Sequence, residues 1–199
     1  MTTTVTALYD DYANAKSAVS DLEAAGIARS DISIVANNAD GHYTVKHPSN
    51  AGPDAGAGAG IGAALGGAGG LLAGLGMLAI PGVGPVVAAG WLVAAAAGAV
   101  TGAVVGGAAG GILGSLTTAG VDERDAHFYA EGVRRGGTLI AVRTDDRHEP
   151  AVREILERHN YVDPKTRLAA YQQGGWRHFD ETREPYTAEE IAAERERFR

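Results

Sequence analysis

The chain has 199 residues, a formal net charge of −7 and no cysteine, which excludes a disulfide framework, thiolate metal sites and cysteine nucleophiles. The acidic balance supplies no basic stripe for a phosphate backbone, so nucleic acid is not an expected partner. The start, Met1-Thr2-Thr3-Thr4-Val5-Thr6, has neither a basic n-region nor an apolar h-region, so the charged flanks are expected to be cytoplasmic.

Residues 3–9 form a β-branched run with a period of two, and Asp10-Asp11 can cap a following helix. In that helix Ala15, Ala18, Val19, Leu22 and Ala25 recur on one face, and Gly26 supplies the stop. Residues 31–36 read as a second strand. Asn38-Ala39-Asp40-Gly41 reads as a turn into a short strand at 42–46.

From Ala55 to Val121 there is no charged residue. Two four-residue glycine series run through this block: Gly58, Gly62, Gly66, Gly70, Gly74, and then Gly98, Gly102, Gly106, Gly110, Gly114. Glycine weakens an isolated helix by about 1 kcal/mol relative to alanine, so ten placed in register require a compensating contact. Small residues at every fourth position let two helix backbones approach closely. Between the series Pro81, Gly82, Gly84 and Pro85 end one helix, reverse the chain and open the next. The expectation is an antiparallel glycine-zipper helical hairpin with arms at 55–79 and 86–118, each longer than the roughly 20 residues that cross a bilayer. Two readings stay open at this point. The hairpin inserts in membrane lipid, or it bundles with copies of itself and hides its leucines and valines in an apolar oligomer core.

After the block, Asp122 can cap a helix whose buried face includes Ala126, Tyr129 and Val133, closed by Gly136-Gly137. Residues 138–143 are the clearest strand. Pro150 suits the first turn of an amphipathic helix running through Val152, Ile155, Leu156 and His159, and a last short strand is expected near 161–163. Two β-α-β halves on one antiparallel sheet give an α+β, ferredoxin-like fold. Its halves occupy 1–50 and 122–165, the hairpin occupies 51–121, and a C-terminal tail occupies 166–199. The tail carries Tyr171, Trp176, Phe179 and Tyr186, then a capping-box spacing at Thr187-Ala188-Glu189-Glu190. Its aromatics are expected to clasp this domain or a neighbour's, or to dock a partner protein.

No chemistry is legible. Gly56-Ala57-Gly58-Ala59-Gly60 imitates a dinucleotide fingerprint, but no strand leads into it and no ribose-binding acid follows. His42, His47, His127, His148, His159 and His178 show no metal-ligand spacing. Asp145, Asp146 and Glu149 suit a helix start better than catalysis. Neither catalytic residues, a cofactor nor a metal is expected, and the chain reads as a non-enzyme.

Taken together, Val5-Thr6-Ala7-Leu8-Tyr9-Asp10-Asp11, the Asp31-Ile32-Ser33-Ile34-Val35 strand and Tyr129-Ala130-Glu131-Gly132-Val133-Arg134-Arg135-Gly136-Gly137 resemble the general stress protein 17M-like family over residues 3–163. The glycine-rich core is similar to glycine-zipper two-transmembrane segments. The resemblance implies a bacterial stress association without an assigned reaction. The expected role is a membrane-anchored or scaffolding homo-oligomer, at the inner membrane or free in the cytoplasm, with small-molecule sensing by the ferredoxin-like domain as the alternative.

Overall fold

The computed structural model describes residues 2–41, 76–93, 95 and 111–198. In chain order they form β1 (Thr2–Tyr9), α1 (Tyr12–Ala24), a 3-10 turn (Arg29–Asp31), β2 (Ile32–Asn37), β3 (Gly76–Ile80), β4 (Gly84–Ala89), α2 (Gly111–Thr118), α3 (Glu123–Arg134), β5 (Thr138–Asp145), α4 (Glu149–Arg158), α5 (Pro164–Gln173) and α6 (Ala188–Arg197). Helix starts follow the side-chain chemistry. The Asp11, Asp122 and Asp163 carboxylates accept backbone N–H bonds from Ala13, Arg124 and Thr166, and Thr187 and Glu190 close a reciprocal capping box.

The five strands make one antiparallel sheet in the order β1-β5-β2-β4-β3. β1 and β2 are joined through α1 with β5 slotted between them, so Val142 faces Val5 on one side and Ile32 on the other. This is the expected split β-α-β crossover. Because successive side chains on a strand point to opposite faces, β1 sends Val5, Ala7 and Tyr9 toward α1 and α4, while Leu8 points to the face covered by α3. β5 likewise divides into Ile140 and Val142 against Leu139 and Ala141. Both faces of the sheet are covered, which is why β2 is buried along its whole length.

Two expectations need correction. The strand expected at 161–163 is reduced to one backbone bond, from Val162 N–H to the Leu8 carbonyl at 2.8 Å on the outer edge of β1. Asp163 caps α5 and Pro164 opens it, so the chain becomes helical before a second ladder bond can form. The sheet instead grows on its other side by β3 and β4, and the strand order is not that of the four-stranded ferredoxin-like sandwich.

The second correction concerns the hairpin. The chain does reverse at Pro81, Gly82 and Val83, with Val83 N–H bonded to the Ile80 carbonyl at 3.0 Å and Gly82 at φ 70°. The flanks 76–80 and 84–89, however, are paired strands and not helical arms. The physical reason is tertiary. β4 lies against β2, with Val86, Val87, Ala88 and Ala89 all buried, and β-branched residues on a buried pleated surface prevail over the glycine-period case for helix. Of the ten glycines placed in register, Gly114 is buried in α2. Gly58, Gly62, Gly66, Gly70, Gly74, Gly98, Gly102, Gly106 and Gly110 lie outside the described residues, as does the strand expected at 42–46. Among the described residues no helix is long and apolar enough to cross a membrane.

Candidate functional site

The densest arrangement of charged and aromatic side chains lies where α3 ends. Gly132 lets this helix sit directly on β1: a Cβ at that position would lie 2.4 Å from Leu8 Cδ2. The helix stops at Gly136, whose φ of +99° suits the left-handed cap. Gly137 N–H then bonds back to the Gly132 carbonyl at 2.9 Å.

Within this turn Glu131 is only 1% exposed, and a buried carboxylate requires partners. Arg135 Nε donates to Glu131 Oε1 at 2.7 Å, and Arg134 Nη1 lies 3.5 Å from Oε2. Arg135 also reaches Glu194 of α6 at 2.6 Å, and its guanidinium stacks 4.3 Å from the Tyr171 ring centre. Burial opposes the charge on Arg135, but the bond to Glu194 and the charge on Glu131 outweigh it, so its pKa is raised above the usual arginine value. Arg134 stacks on Tyr186 at 4.9 Å and donates to the Glu184 carbonyl at 2.9 Å.

The C-terminal segment closes over this turn. Ile191, the one fully buried side chain of α6, sits on Gly136, where a Cβ would lie 2.4 Å from its Cγ2. Arg195 bridges Asp40 at 2.8 Å and the Gly136 carbonyl at 3.1 Å. Farther back, Arg167 grips Asp10 with two bonds of 2.7 and 2.6 Å and lies 3.7 Å over the Phe198 ring. The same segment covers the β3–β4 turn. A Cβ on Gly82 would lie 2.6 Å from the Glu181 Cα, and one on Gly84 would lie 2.9 Å from Pro185 Cβ.

The structure thus brings together residues that the sequence assigned to separate roles. Gly82 and Gly84 of the reversal are buried under the tail, whereas Pro81 and Pro85 face solvent. Tyr171, Trp176 and Phe179 belong to the core of this same chain, and Tyr186 is half-buried between Arg134 and Arg135. Sequence reasoning missed Glu131, Arg134, Glu194, Arg195 and Asp40 as a set. The i,i+4 spacing of Glu131 and Arg135 was the available local signal; the partners on α6 are distant in sequence and left none.

A cleft of about 410 Å³ opens at the other end of α3, between its start at Asp122, Arg124 and His127 and Leu168 and Gln172 of α5, with Trp176 just beyond that helix. Its lining mixes both signs of charge, and the Asp122 carboxylate is already engaged in capping α3. His127 and His178 meet edge to face at 6.1 Å. His148 and His159 pair with Asp145 and Asp21; His42 and His47 lie outside the described residues. No group of three His, Asp or Glu side chains among the described residues is placed to hold a metal ion. Asp145 accepts from the Arg147 and His148 amides and so closes the turn before α4, whose N-cap His148 makes no side-chain cap bond.

The β1-α1-β2 crossover and β3 lie in the N-terminal part of the chain to which a family comparison applies. Residues 4–82 match the heat induced stress protein YflT domain. The match supports a general stress protein family. It runs from β1 to the reversal at Gly82, whereas α3, the Glu131–Gly137 turn and the closing tail lie beyond the YflT-matched residues. No curated protein and no solved structure matches the chain.

Proposed function

We propose that this chain is a non-enzymatic, stress-associated protein that self-assembles through its uncharged glycine-periodic segments, with the three-layer α+β body as a rigid scaffold. The carrying observation is the placement of the reversal. Both faces of the sheet are covered among the described residues, and the β3–β4 turn lies under the tail, so the body consumes the middle of the uncharged block. The glycine series that remain flank this hairpin, and in-register glycines gain their stabilisation from close helix contact. Assembly into a cytoplasmic homo-oligomer suits this geometry better than a hairpin whose tip crosses an inner membrane. Lipid contact, on this reading, is peripheral.

The test is the mass of the full-length protein by light scattering, for the wild type and for Gly66→Leu, Gly106→Leu and Gly56→Leu. The wild type is expected as a defined oligomer, and Gly66→Leu and Gly106→Leu are expected to lower its mass while Gly56→Leu, outside both series, leaves it unchanged. A monomeric wild type, or equal effects at the three positions, removes the proposal.

One observation favours small-molecule sensing as a second reading. The cleft beside α3 is in the size range of ligand pockets, and the Trp176 Nε1 and His127 Nδ1 atoms are buried without a hydrogen-bond partner. A thermal-shift screen with metabolites that leaves the midpoint unmoved eliminates it.

A further inference from the structure

The cleft at the start of α3 has an apolar wall made by Leu168, packed on the core from α5, and by Trp176, which is 8% exposed. The backbone N–H of Trp176 donates to the Tyr171 carbonyl at 3.0 Å, and the two rings meet edge to face at 5.9 Å. Its indole Nε1, which can only donate, is buried with no acceptor among the described residues. A buried donor left without an acceptor destabilises the fold, so its presence in the cleft wall points to an acceptor from outside the chain. Two cations complete the lining. Arg124 stands in the first turn of α3, where the macrodipole disfavours positive charge, and Arg177 follows Trp176. Neither guanidinium pairs with a carboxylate among the described residues, whereas Arg134, Arg135, Arg167 and Arg195 all do. Of the acids at the same rim, Asp122 is engaged in capping α3, and the Glu123 side chain is 83% exposed and lies 4.0 Å from His127 Nε2.

We propose that this cleft binds a small organic carboxylate with an apolar body. The inference rests on the small-molecule reading above and names the ligand class. The carboxylate follows from the donors: two guanidinium groups whose planar forks match it, beside the positive end of a helix of 12 residues. The apolar body follows from Leu168 and Trp176, a surface that a simple inorganic ion leaves unused. Because Nε1 is buried, its bond to the ligand requires the indole to turn toward the cleft as the ligand enters, a motion of the kind that side-chain rotamer exchange supplies. The indole is thereby both a wall of the site and its reporter.

The experiment titrates sodium benzoate into the full-length protein and follows the indole N–H resonances of Trp176 and Trp91 by NMR. We expect benzoate to move the Trp176 resonance saturably and to leave Trp91 in place, since Trp91 Nε1 already donates to the Asp31 carbonyl at 3.1 Å and does not line the cleft. Arg124→Gln together with Arg177→Gln is expected to weaken benzoate binding about tenfold or more. Both side chains are exposed, so the denaturation midpoint of this variant should stay at the wild-type value. Benzyl alcohol keeps the ring without the charge, and inorganic phosphate keeps a charge without the ring; each is expected to bind at least about tenfold more weakly than benzoate. A Trp176 resonance unmoved by benzoate overturns the proposal. So does benzyl alcohol or phosphate binding as tightly as benzoate, or benzoate binding that survives loss of both arginines. Failure of the small-molecule reading itself is distinct: no compound in a metabolite screen would then move either the Trp176 resonance or the thermal midpoint. A metabolite without a carboxylate that moves both, where benzoate moves neither, keeps that reading and overturns the ligand class.

Discussion

Glu131 shows how one side chain can define a site. It is 1% exposed and held between two guanidinium groups, so removing its charge leaves those cations buried against reduced compensation. Glu131→Gln is expected to cost about 3–5 kcal/mol in chemical denaturation. The exposed pair Glu149–Arg153, at 2.8 Å, provides the contrast: Glu149→Gln should cost less than about 0.5 kcal/mol. Similar losses at both positions would show that burial is not what gives Glu131 its weight. Tyr171 carries a second residue-scale consequence. Burial pushes its hydroxyl up to about 12, above the ordinary tyrosine value of about 10. A raised folded-state value means the folded protein keeps a proton that the unfolded chain has lost, so this contribution is complete below pH about 10 and declines as pH rises toward about 12. Tyr171→Phe is therefore expected to flatten the fall of stability over that window, measured by denaturant midpoint against pH. An unaltered slope would mean that Tyr171 is ionised no differently in the two states.

Among the elements, α6 starts on a reciprocal pair of side chains. The Glu190 carboxylate accepts from the Thr187 amide at 2.8 Å and from its hydroxyl at 3.1 Å, and the amide bond holds the carboxyl below the usual glutamate range. A lowered folded-state value stabilises above the ordinary carboxylate range and is lost as pH falls through it. Acidification from pH about 5 to about 3 should consequently expose α6 amides before those of β5, and Thr187→Ala, which removes the hydroxyl of the box, should expose them already at neutral pH. Equal protection of α6 and β5 throughout the acid titration would refute this order. The capping box was legible in the sequence, as were the caps at Asp11 and Asp122, because each is a local pattern of hydrogen-bonding side chains before an apolar period. β1, α1, β2, α3, β5 and α4 were legible for the same reason. β3 and β4 were not: Gly84–Ala89 becomes a strand through its ladder to β2, a partner about fifty residues earlier in the chain, and Gly76–Ile80 through its ladder to β4, while the glycine period of four overrode the weak β signal of Val83, Val86 and Val87. The strand expected at 161–163 failed in the opposite direction, since Pro164 imposes a helix start that competes with pairing. The clasp of Glu194 and Arg195 on Arg135 and Asp40 left no local trace, because charges that meet only in three dimensions have no period.

For the molecule as a whole, the decisive geometry is where the uncharged block is fastened. β2 precedes the stretch 42–75 and β3 follows it, and both belong to one sheet through β4. A chain that leaves and re-enters the same body must cross a bilayer twice or not at all, and two helical crossings take about 40 residues, more than that stretch holds. The stretch 96–110, between the strand β4 side of the sheet and the buried α2, is shorter still. A spanning hairpin would require β3 and β4 to leave the sheet, removing Val86, Val87 and Ala88 from the core and uncovering backbone groups of β2 that the ladder now satisfies. The expected outcome is that protein bound to vesicles of bacterial lipid is released by alkaline carbonate, with β4 amides protected from exchange both before and after release. Retention in the membrane fraction together with loss of β4 protection would establish the alternative, a body that surrenders its two inner strands in order to insert.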